Sequence, residues 1–453
     1  MSGERQNREP QIHDLRTFLE ALRSKGHLVE ISRRVSLVHE MGAVADALIR
    51  TGGPAPLFKN VDHPSGIPVT GGLLASIDRI AIALGCEKSE VTGVIGRALK
   101  EPSSTVLVDR PPFRENVIVG GTLDSLPIPF HNPGDAGPYI TGGIAIARDP
   151  DTGRHNYSYN RLQIKGPRKT GFVMNVWRHI RQFYEKAEQR GEALPVAIAI
   201  GLDPVIHIAA GLRTDEEEGR IAAALRGEPL EVGKCETVDI EVPAHAEIVI
   251  EGRILPGIRE EEGPLAEFTG HYGEKWYPPV MEVTAICHRS NPIFQTIIPG
   301  SFEHVYLGNV LPREPLLLEF TRHVSKGVKG VHLAPYTGGF MAVVSLEKSN
   351  PGEPKNVALA ALMTHVNIKM AVVVDPDVDI HSPSDVLWAM TTRVDPSKDI
   401  FVVPRAQGIE NDPTADKHGV HSKIGIDATL EESKKKDYKR VVYPPVDLKR
   451  YLP

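Results

Sequence analysis

The sequence predicts a mixed fold in which two α/β regions flank a β-rich middle region. Helix and strand patterns alternate up to about residue 110, strand patterns dominate from about residue 115 to 310, and the alternation returns beyond Pro312. The chain has 453 residues, whereas a single hydrophobic core stops growing at roughly 250 to 300 residues. We predict an N-terminal α/β domain (1–114), a central β domain (115–311) and a C-terminal α/β domain (312–453).

The N-terminal prediction depends on a capped amphipathic helix. Asp14 precedes LRTFLEALRSKG, in which leucine and phenylalanine recur at helical spacing before Gly26. The strand pattern HLVEIS follows, and EMGAVADALIR, PLFKNV and SIDRIAIALG continue the alternation. This order is typical of an α/β unit.

The middle region is predicted to be a barrel or a sandwich with inserted helices. The turn DPDTG separates the strand patterns GGIAIAR and NYSYNRLQI, and PVAIAIG, VDIEVP, EIVIEGRIL, VMEVTAIC and PIFQTII follow. The helical patterns MNVWRHIRQFYEKAEQ and DEEEGRIAAALRG interrupt them.

In the last third of the chain, continuous apolar runs such as IKMAVVVD are typical of buried parallel strands, and ligands are expected at the carboxyl ends of such strands.

The composition of the chain argues against several classes of protein. Hydrophobic residues make up 41% of the chain, charged residues 24%, and the formal net charge is -6, which disfavours a nucleic-acid surface. Cys86, Cys235 and Cys287 show no disulfide or zinc-ligand spacing. With no apolar leader and no run of about 18 apolar residues, we expect a cytoplasmic protein with no membrane span. The basic tail KKKDYKRVVYPPVDLKRYLP is interpreted as a docking arm.

Several functional motifs fail or are missing. DPDVD at 375–379 begins like a calcium loop, but Ile380 stands where glycine is needed and Val386 where glutamate is needed. The sequence contains no GxGxxG after a strand, no GxxxxGK[ST], no HExxH and no GxSxG. Dinucleotide, P-loop, zincin and serine-hydrolase interpretations are therefore weakened.

The segment EEEGPLAEFTGHYG is the strongest functional signal. It places Glu262 and Glu267 five residues apart on a loop broken by glycine and proline. Paired carboxylates on such a segment suit acid-base chemistry in a cleft. The alternative is a solvated acidic turn.

A second signal lies on the strand pattern NYSYNRLQI. If the strand is regular, Asn156, Ser158 and Asn160 share one face, and Arg161 lies on the other. An arginine presented by a rigid strand is a good partner for a carboxylate, although a surface arginine is the alternative.

These residues resemble the UbiD-like decarboxylases, which use prenylated FMN. The resemblance extends over nearly the whole chain, and its most specific parts are NYSYNRLQ, the helix with Arg178-His179-Ile180, the helix from Glu218 that ends in RGEP, EGPLAEFTGHYG, and NIKMAVVVDPDVDI. It implies that the central domain is a split β-barrel, similar to flavin reductases, between two α/β domains.

The resemblance also implies the cofactor site. Asn156, His179 and Glu218 would bind a divalent metal, Mn²⁺ or Mg²⁺, that joins the cofactor phosphate, with K⁺ nearby. Their oxygen and nitrogen donors suit such an ion. Lys369 would add charge to the phosphate. The remaining cofactor-binding residues would be Ser158, Tyr159, Asn160, Arg161 and Arg178.

By the same resemblance, Arg161, Glu262 and Glu267 form the catalytic set. Arg161 would orient the substrate carboxylate, Glu262 would hold Arg161, and Glu267 would deliver the proton that replaces CO₂. Glu267 must be neutral to donate, so we expect burial to raise its pKa above the ordinary value of about 4.3. Because Asn156 and Arg161 have opposite strand parity, we predict a bulge or bend between them.

The substrate is predicted to be an aromatic, heteroaromatic or α,β-unsaturated carboxylic acid. Many relatives carry glutamine where this chain has Arg178, so a second acidic group on the substrate is one interpretation; solvent or cofactor phosphate as its partner is the other. Leu307 would line the pocket, and His304 would contact a ring substituent or be structural.

Two other classes stay open at this point. One is a flavin-binding oxidoreductase with a split barrel, and the other is a metal-dependent hydrolase that uses Asn156, His179 and Glu218. The resemblance further implies a UbiX-like flavin prenyltransferase as the source of the cofactor, and a homodimer or larger homo-oligomer.

Overall fold

The computed structural model describes residues 11–175, 178–409, 412–441, 443–447 and 450–451. Its helices are α1 (Leu15–Ser24), α2 (Glu40–Arg50), α3 (Ile77–Leu84), α4 (Val91–Lys100), α5 (His179–Gln189), α6 (Pro204–Gly211), α7 (Glu218–Arg226), α8 (Phe302–Val305), α9 (Glu314–Val324), α10 (Glu353–Thr364) and α11 (Pro383–Thr392). A π-helical turn, Tyr306–Val310, continues α8. Within the described ranges, no helix has the length and apolar character that a membrane span needs.

The strands are β1 (Leu28–Ile31), β2 (Ala55–Phe58), β3 (Val69–Thr70), β4 (Thr105–Leu107), β5 (Asn116–Val119), β6 (Tyr139–Ile140), β7 (Ile144–Arg148), β8 (His155–Tyr159), β9 (Leu162–Gly166), β10 (Lys169–Gly171), β11 (Leu194–Ile200), β12 (Leu230–Lys234), β13 (Glu241–Pro243), β14 (Ile248–Arg259), β15 (Pro279–His288), β16 (Phe294–Gln295), β17 (Val328–Leu333), β18 (Met341–Leu346), β19 (Met370–Val374), β20 (Ile400–Gln407) and β21 (Val420–Ala428).

Helix α1 forms where the sequence predicts it. The side chain of Asp14 accepts a hydrogen bond from the backbone N–H of Thr17 at 2.8 Å, and the Thr17 hydroxyl caps the Asp14 backbone in return. The apolar face of the helix, including Phe18 and Leu22, is buried. Capping and burial together explain why this segment is helical.

The N-terminal region and the middle region share sheets. One small sheet runs in the order β1-β2-β3-β16, so it takes its last strand from the middle region. Another runs β13-β12-β4. A continuous cluster of buried side chains joins all three regions, from Leu15 through Ile144 to Val344. The regions are therefore held together by a common core.

The large central sheet curls into an open barrel. Its strands follow the order β6-β9-β10-β15-β14-β11-β7-β8, and β5 adds to β15. Strands β8 and β9 are consecutive in sequence, but β8 ends this path and β9 is the second strand from its other end, so Asn160 and Arg161 connect strands from far apart in the sheet. The curl confirms the predicted fold class, with a half-barrel between α/β segments.

Two local predictions need correction. NYSYNRLQI is not one strand, because pairing with β7 ends at Tyr159 and pairing with β6 begins at Leu162; the predicted bend between Asn156 and Arg161 is therefore confirmed. The helix predicted to start with MNVWRH begins at His179 instead. Met174 and Asn175 lie outside any helix, and residues 176–177 lie outside the described ranges.

The C-terminal sheet is only partly parallel. Its order is β17-β18-β19-β21-β20, in which β18, β19 and β21 are parallel, while β17 and β20 pair antiparallel at the two edges. Of the parallel strands, β18 and β19 are the buried, Val-rich ones that the sequence predicts.

Candidate active site

Arg161 projects from the link that connects β8 to β9 in the central sheet. The link is fixed by its own polar groups: the Ser158 hydroxyl donates to Asn160 Oδ1 at 2.8 Å, and Asn160 Nδ2 donates to the carbonyl of Val173 at 2.9 Å. The side chain of Arg161 is 14% exposed. These hydrogen bonds therefore fix the link that holds a nearly buried guanidinium.

Two carboxylates bind this guanidinium. Arg161 Nη2 donates to Glu262 Oε2 at 2.9 Å, and Arg161 Nη1 donates to Glu267 Oε1 at 2.5 Å. The Glu262 side chain is fully buried, whereas that of Glu267 is 21% exposed. Glu262 therefore forms the fully buried contact with Arg161, and Glu267 forms the contact that is partly exposed to solvent.

The loop that carries both carboxylates is anchored by backbone hydrogen bonds. Glu262 and Trp276 exchange two of them, each 2.8 Å long, and Asp135 Oδ1 accepts from the N–H of Ala266 at 2.9 Å. A Cβ at Gly171 would lie 3.3 Å from Glu262 Cγ, so the neighbouring strand leaves room for this side chain. The carboxylates are preorganised by the scaffold.

The surroundings of Glu267 raise the pKa of its carboxyl. Burial is the largest influence and raises the pKa of this carboxyl, Arg161 opposes it, and nearby Glu262 raises the pKa further, so the net direction is upward. Burial alone would lower the pKa of Arg161, but Glu262 and Glu267 outweigh it and the net direction is also upward. Arg161 stays charged, while Glu267 is the member of the set that can carry a proton.

Asn156, five positions before Arg161, and Glu218 from helix α7 form a pair of polar side chains that suits a metal ion. Asn156 Nδ2 donates to Glu218 Oε1, and the backbone N–H of Tyr157 donates to Glu218 Oε2, both at 2.8 Å. Asn156 Oδ1 is buried and has no hydrogen-bond partner in the described part of the chain. An orphaned buried oxygen beside a buried carboxylate fits a hard cation.

His179, the third residue of the predicted metal set, is the first residue of α5. Burial, followed by repulsion from Arg154, lowers the pKa of His179, which leaves a neutral imidazole able to bind a metal. Its Nε2 lies 3.9 Å from Asp215 Oδ1, three residues before Glu218. The described residues contain no cluster of three or more His, Cys, Asp or Glu ligands, and the candidate set includes an asparagine.

Other predicted cofactor residues have different surroundings. The Tyr159 hydroxyl contacts His207 Nδ1 at 2.8 Å, so this side chain is directed into the core. Lys369 Nζ donates to Asp412 Oδ2 at 2.8 Å and to Thr414 Oγ1 at 2.5 Å. In the described residues no hydrogen bond links Lys369 to the metal set, so its role at a phosphate stays a prediction.

His304 and Leu307, predicted to line the substrate pocket, lie on α8 and on the π-helical turn. His304 Nδ1 accepts from the N–H of Gly300 at 3.2 Å, and its ring meets the Phe268 ring edge-on, with 6.2 Å between centroids. Burial and, secondarily, Arg161 lower the pKa of His304 to about 4, so the imidazole is neutral near pH 7. Leu307 is buried on the same turn.

Sequence reasoning missed three residues near this helical segment. Phe268 follows Glu267 directly and contacts both His304 and Phe340, with 5.9 Å between the phenyl centroids. Arg213 and Arg313 also lie beside the π-helical turn. A signal existed for Phe268, since it stands inside the carboxylate motif; the two arginines are 100 positions apart, and no spacing rule connects them.

Comparison with known proteins identifies the family. Residues 19–99, 105–302 and 306–428 match the N-terminal, Rift-related and C-terminal domains of 3-octaprenyl-4-hydroxybenzoate carboxy-lyase, known as UbiD. An anhydromevalonate phosphate decarboxylase from Methanothermobacter thermautotrophicus is 38% identical over 393 residues, which cover 85% of this chain and 90% of that protein. A phenolic acid decarboxylase of Bacillus subtilis is 33% identical over 436 residues, 92% of each chain.

Solved structures agree with the sequence comparison. The UbiD-class enzyme HmfF from Pelotomaculum thermopropionicum, in complex with FMN, superimposes with a TM-score of 0.91 at 40% identity and covers 97% of this chain and 100% of that one. An evolved dimeric form of HmfF in complex with prFMN gives a TM-score of 0.87 at 39% identity, with the same coverage. The chain belongs to the UbiD family and is a carboxy-lyase.

Proposed function

We propose that this protein catalyses the reversible, non-oxidative decarboxylation of an aromatic, heteroaromatic or α,β-unsaturated carboxylic acid with prenylated FMN. The observation that carries the proposal is the fork of Arg161 with Glu262 and Glu267. The breadth of the substrate class follows the relatives, whose names include a phosphate-bearing acid and phenolic acids.

The arginine binds the carboxylate that leaves. A guanidinium presents its donors in a fixed fork, which matches a carboxylate with two parallel hydrogen bonds. Glu262, fully buried and bonded at 2.9 Å, holds the fork in orientation. A substrate carboxylate competes with Glu267 for the donor Nη1, because Glu267 is the partner that is more exposed to solvent.

Glu267 supplies the proton that replaces CO₂. When the substrate takes over Arg161, Glu267 loses its nearest positive charge, and the influences that remain, burial and Glu262, both favour the neutral acid. A neutral carboxyl then faces the pocket where the new C–H bond forms. Decarboxylation removes CO₂, and proton transfer from Glu267 leaves a carboxylate that solvent reprotonates.

The cofactor would be held by residues of the central domain. We propose that Asn156, His179 and Glu218 bind Mn²⁺ or Mg²⁺, which joins the cofactor phosphate, with K⁺ nearby; the unpartnered Asn156 Oδ1 supports this. When bound, prenylated FMN supplies the electron-accepting chemistry that side chains lack. A separate flavin prenyltransferase would make it in the cytoplasm, and the decarboxylase would act as a homo-oligomer.

The test is decarboxylation by protein co-expressed with a flavin prenyltransferase. Phenolic, heteroaromatic and α,β-unsaturated acids are screened for CO₂ release, and products formed in D₂O are analysed for deuterium at the carbon that lost CO₂. We expect Glu267→Gln to lose at least about 100-fold in kcat, in line with the effect of a general acid.

The matched control is Glu261→Gln, in the same loop. Glu261 is exposed and pairs with Lys275 at 2.8 Å, away from Arg161. If Glu267→Gln decarboxylates at the parent rate with parent flavin content, the proposed proton donor is wrong.

A further inference from the structure

A cavity of about 210 Å³ lies beside α8, where the end of α2, the start of α3 and the turn after β17 approach one another. The polar side chains that line it are Arg50, Ser76 and Arg79. A cavity of about 150 Å³ is large enough to bind benzene, so this one has room for a single aromatic ring with one small substituent. The apolar side chains that form its walls are those of Ile49, Ala75, Ile77, Phe302, Tyr306 and Pro335.

The cavity is separate from the proposed active site. None of the three residues of the proposed catalytic set lines it. Phe302 and Tyr306 contribute to its wall, whereas His304 does not and instead meets Phe268, from the carboxylate loop, edge-on. Side chains two positions apart on a helix point about 200° apart, and those four positions apart share a face. The cavity and the carboxylate loop therefore lie on different sides of this helical segment.

Arg79 places a positive charge in the wall of the cavity. The residue is only 3% exposed. In the part of the chain that the structure describes, its guanidinium makes one hydrogen bond, from Nη1 to the carbonyl of Gly53 at 3.0 Å, and its buried Nε has no partner. A guanidinium has five N–H donors, and a buried charge is costly unless an opposite charge pairs with it. Arg79 is therefore left with unused donors beside an open space.

The nearby carboxylates do not take these donors. Burial lowers the pKa of Arg79, and Glu303 and Asp78 oppose this effect only in part. The two oxygens of Glu303 accept instead from the backbone N–H groups of Gly72 and Leu74, each at 2.8 Å, and Asp78 pairs with a lysine at 2.9 Å. Among the described residues, the chain thus provides no directly bonded counter-ion for Arg79.

A purely structural role explains only part of this arrangement. The hydrogen bond to Gly53 ties α3 to the chain that leaves α2, and one donor is enough for it. The remaining donors and the adjoining cavity stay unexplained. A guanidinium at the wall of an apolar cavity suits an acid with an apolar ring, because the fork binds the carboxylate and the walls bury the ring.

We propose that this cavity is a second binding site, separate from the catalytic one, for a small aromatic carboxylic acid. The carboxylate binds Arg79, and the ring packs against Phe302 and Tyr306. A carboxylate suits the site better than a phosphate, since one guanidinium offsets one negative charge and the other walls are mainly apolar.

The experiment is a calorimetric titration of the full-length, flavin-loaded protein with benzoate. Benzyl alcohol tests the ring without the charge, and inorganic phosphate tests an anion without the ring. The titrations use an Arg161→Gln background, which removes the cation of the proposed active site and keeps an amide that can donate to Glu262. Crystals of the unchanged protein soaked in 4-bromobenzoate locate the ligand through the anomalous scattering of bromine.

Two variants change the cavity in different ways. Arg79→Met removes the charge and keeps a long, flexible side chain at the wall. Ile77→Trp fills part of the cavity from a half-buried position and leaves Arg79 in place, so it decides the question if Arg79→Met folds poorly. Arg97→Met, at an exposed position of α4, is the matched control.

We expect benzoate to bind with a Kd of about 1 mM or lower, and bromine to lie beside Phe302 and Tyr306. Arg79→Met and Ile77→Trp should each raise this Kd about 10- to 100-fold, and Arg97→Met should leave it unchanged. Benzyl alcohol and phosphate should each bind at least about 10-fold more weakly than benzoate.

Four results would overturn the inference. An unchanged Kd for benzoate in either folded cavity variant would place the acid elsewhere. Equally tight binding of benzyl alcohol would assign the cavity to neutral molecules, and equally tight binding of phosphate would assign it to inorganic anions. Bromine in the cavity without binding in solution below about 10 mM would be binding at crystal concentration only. All four readouts are independent of whether the protein releases CO₂ from any acid.

Discussion

Replacing Glu262 by glutamine tests how the fork of Arg161 is held. Glutamine has the same shape, so the space beside Gly171 remains filled. The hydrogen bond from Arg161 Nη2, 2.9 Å long and fully buried on the glutamate side, keeps its charged donor but loses its charged acceptor, so a buried ion pair becomes an ion–dipole contact. Hydrogen bonds to charged groups contribute about 1.5–3 kcal/mol, and each 1.4 kcal/mol is a factor of ten. We therefore expect kcat/KM to fall about 10- to 100-fold.

The same change should move the pH profile in a defined direction. Glu262 raises the pKa of Glu267, so its neutralisation lowers that pKa. Activity requires protonated Glu267 and is lost as the pH rises above its pKa. The basic limb of the profile should therefore lie at lower pH in Glu262→Gln than in the parent.

The assay is steady-state decarboxylation between pH 5 and 9 with flavin content normalised by absorbance, and Glu261→Gln serves as the control. A purely structural Glu262 would change the unfolding temperature and leave kcat/KM and the basic limb where they are in the parent. That combination would refute the reasoning.

Three further predictions concern the metal, the π-helical turn and a buried lysine. Asn156→Ala should raise the Kd for Mn²⁺ about 10-fold or more, measured by titration with electron paramagnetic resonance; an unchanged Kd would exclude Asn156 as a ligand. Gly211→Ala should destabilise the protein by about 1–3 kcal/mol in urea unfolding because its Cβ meets the Leu307 carbonyl, whereas Gly166→Ala, with open space around its Cβ, should not. Burial lowers the pKa of Lys423 from 10.5 to about 8, so the folded state binds fewer protons than the unfolded state between these values. The free energy of unfolding of the parent, relative to that of Lys423→Met, should increase as the pH rises through that window. An equal difference between the two proteins at pH 7.5 and at pH 9.5 would contradict this prediction.

The contact among Arg161, Glu262 and Glu267, the proposed catalytic set, could be predicted from the sequence because these residues stand in compact, specific motifs. Arg161 lies in NYSYNRLQI, and both glutamates lie in EEEGPLAEFTGHYG, so a resemblance was enough to place them together, and the structure brings them into contact. The bend at Asn160 followed from strand parity together with the roles that the resemblance gives Asn156 and Arg161. The parity argument succeeded because side chains alternate strictly along a strand.

Other features depend on packing that no local pattern encodes. Helix α6, reading PVIHIAAG, is buried on every side and therefore shows no amphipathic period. Helix α6 packs so closely on the π-helical turn that a Cβ at Gly211 would lie 2.4 Å from the Leu307 carbonyl oxygen, a tertiary contact between distant segments. Lys369, predicted at the phosphate from its motif, pairs with Asp412, a partner 43 positions away.

The two-residue connection between β8 and β9 sets a rule for engineering this enzyme. Asn160 and Arg161 join β8, the last strand of the curled sheet, to β9, the second strand from its other end. Because side chains alternate along an extended chain, adding or deleting one position in this connection would change the direction in which Arg161 points. Libraries that seek new acids should keep the length of this connection invariant. Substitutions in such libraries should instead be made in the helical segment 302–313, where side chains can change while the length of the chain stays the same.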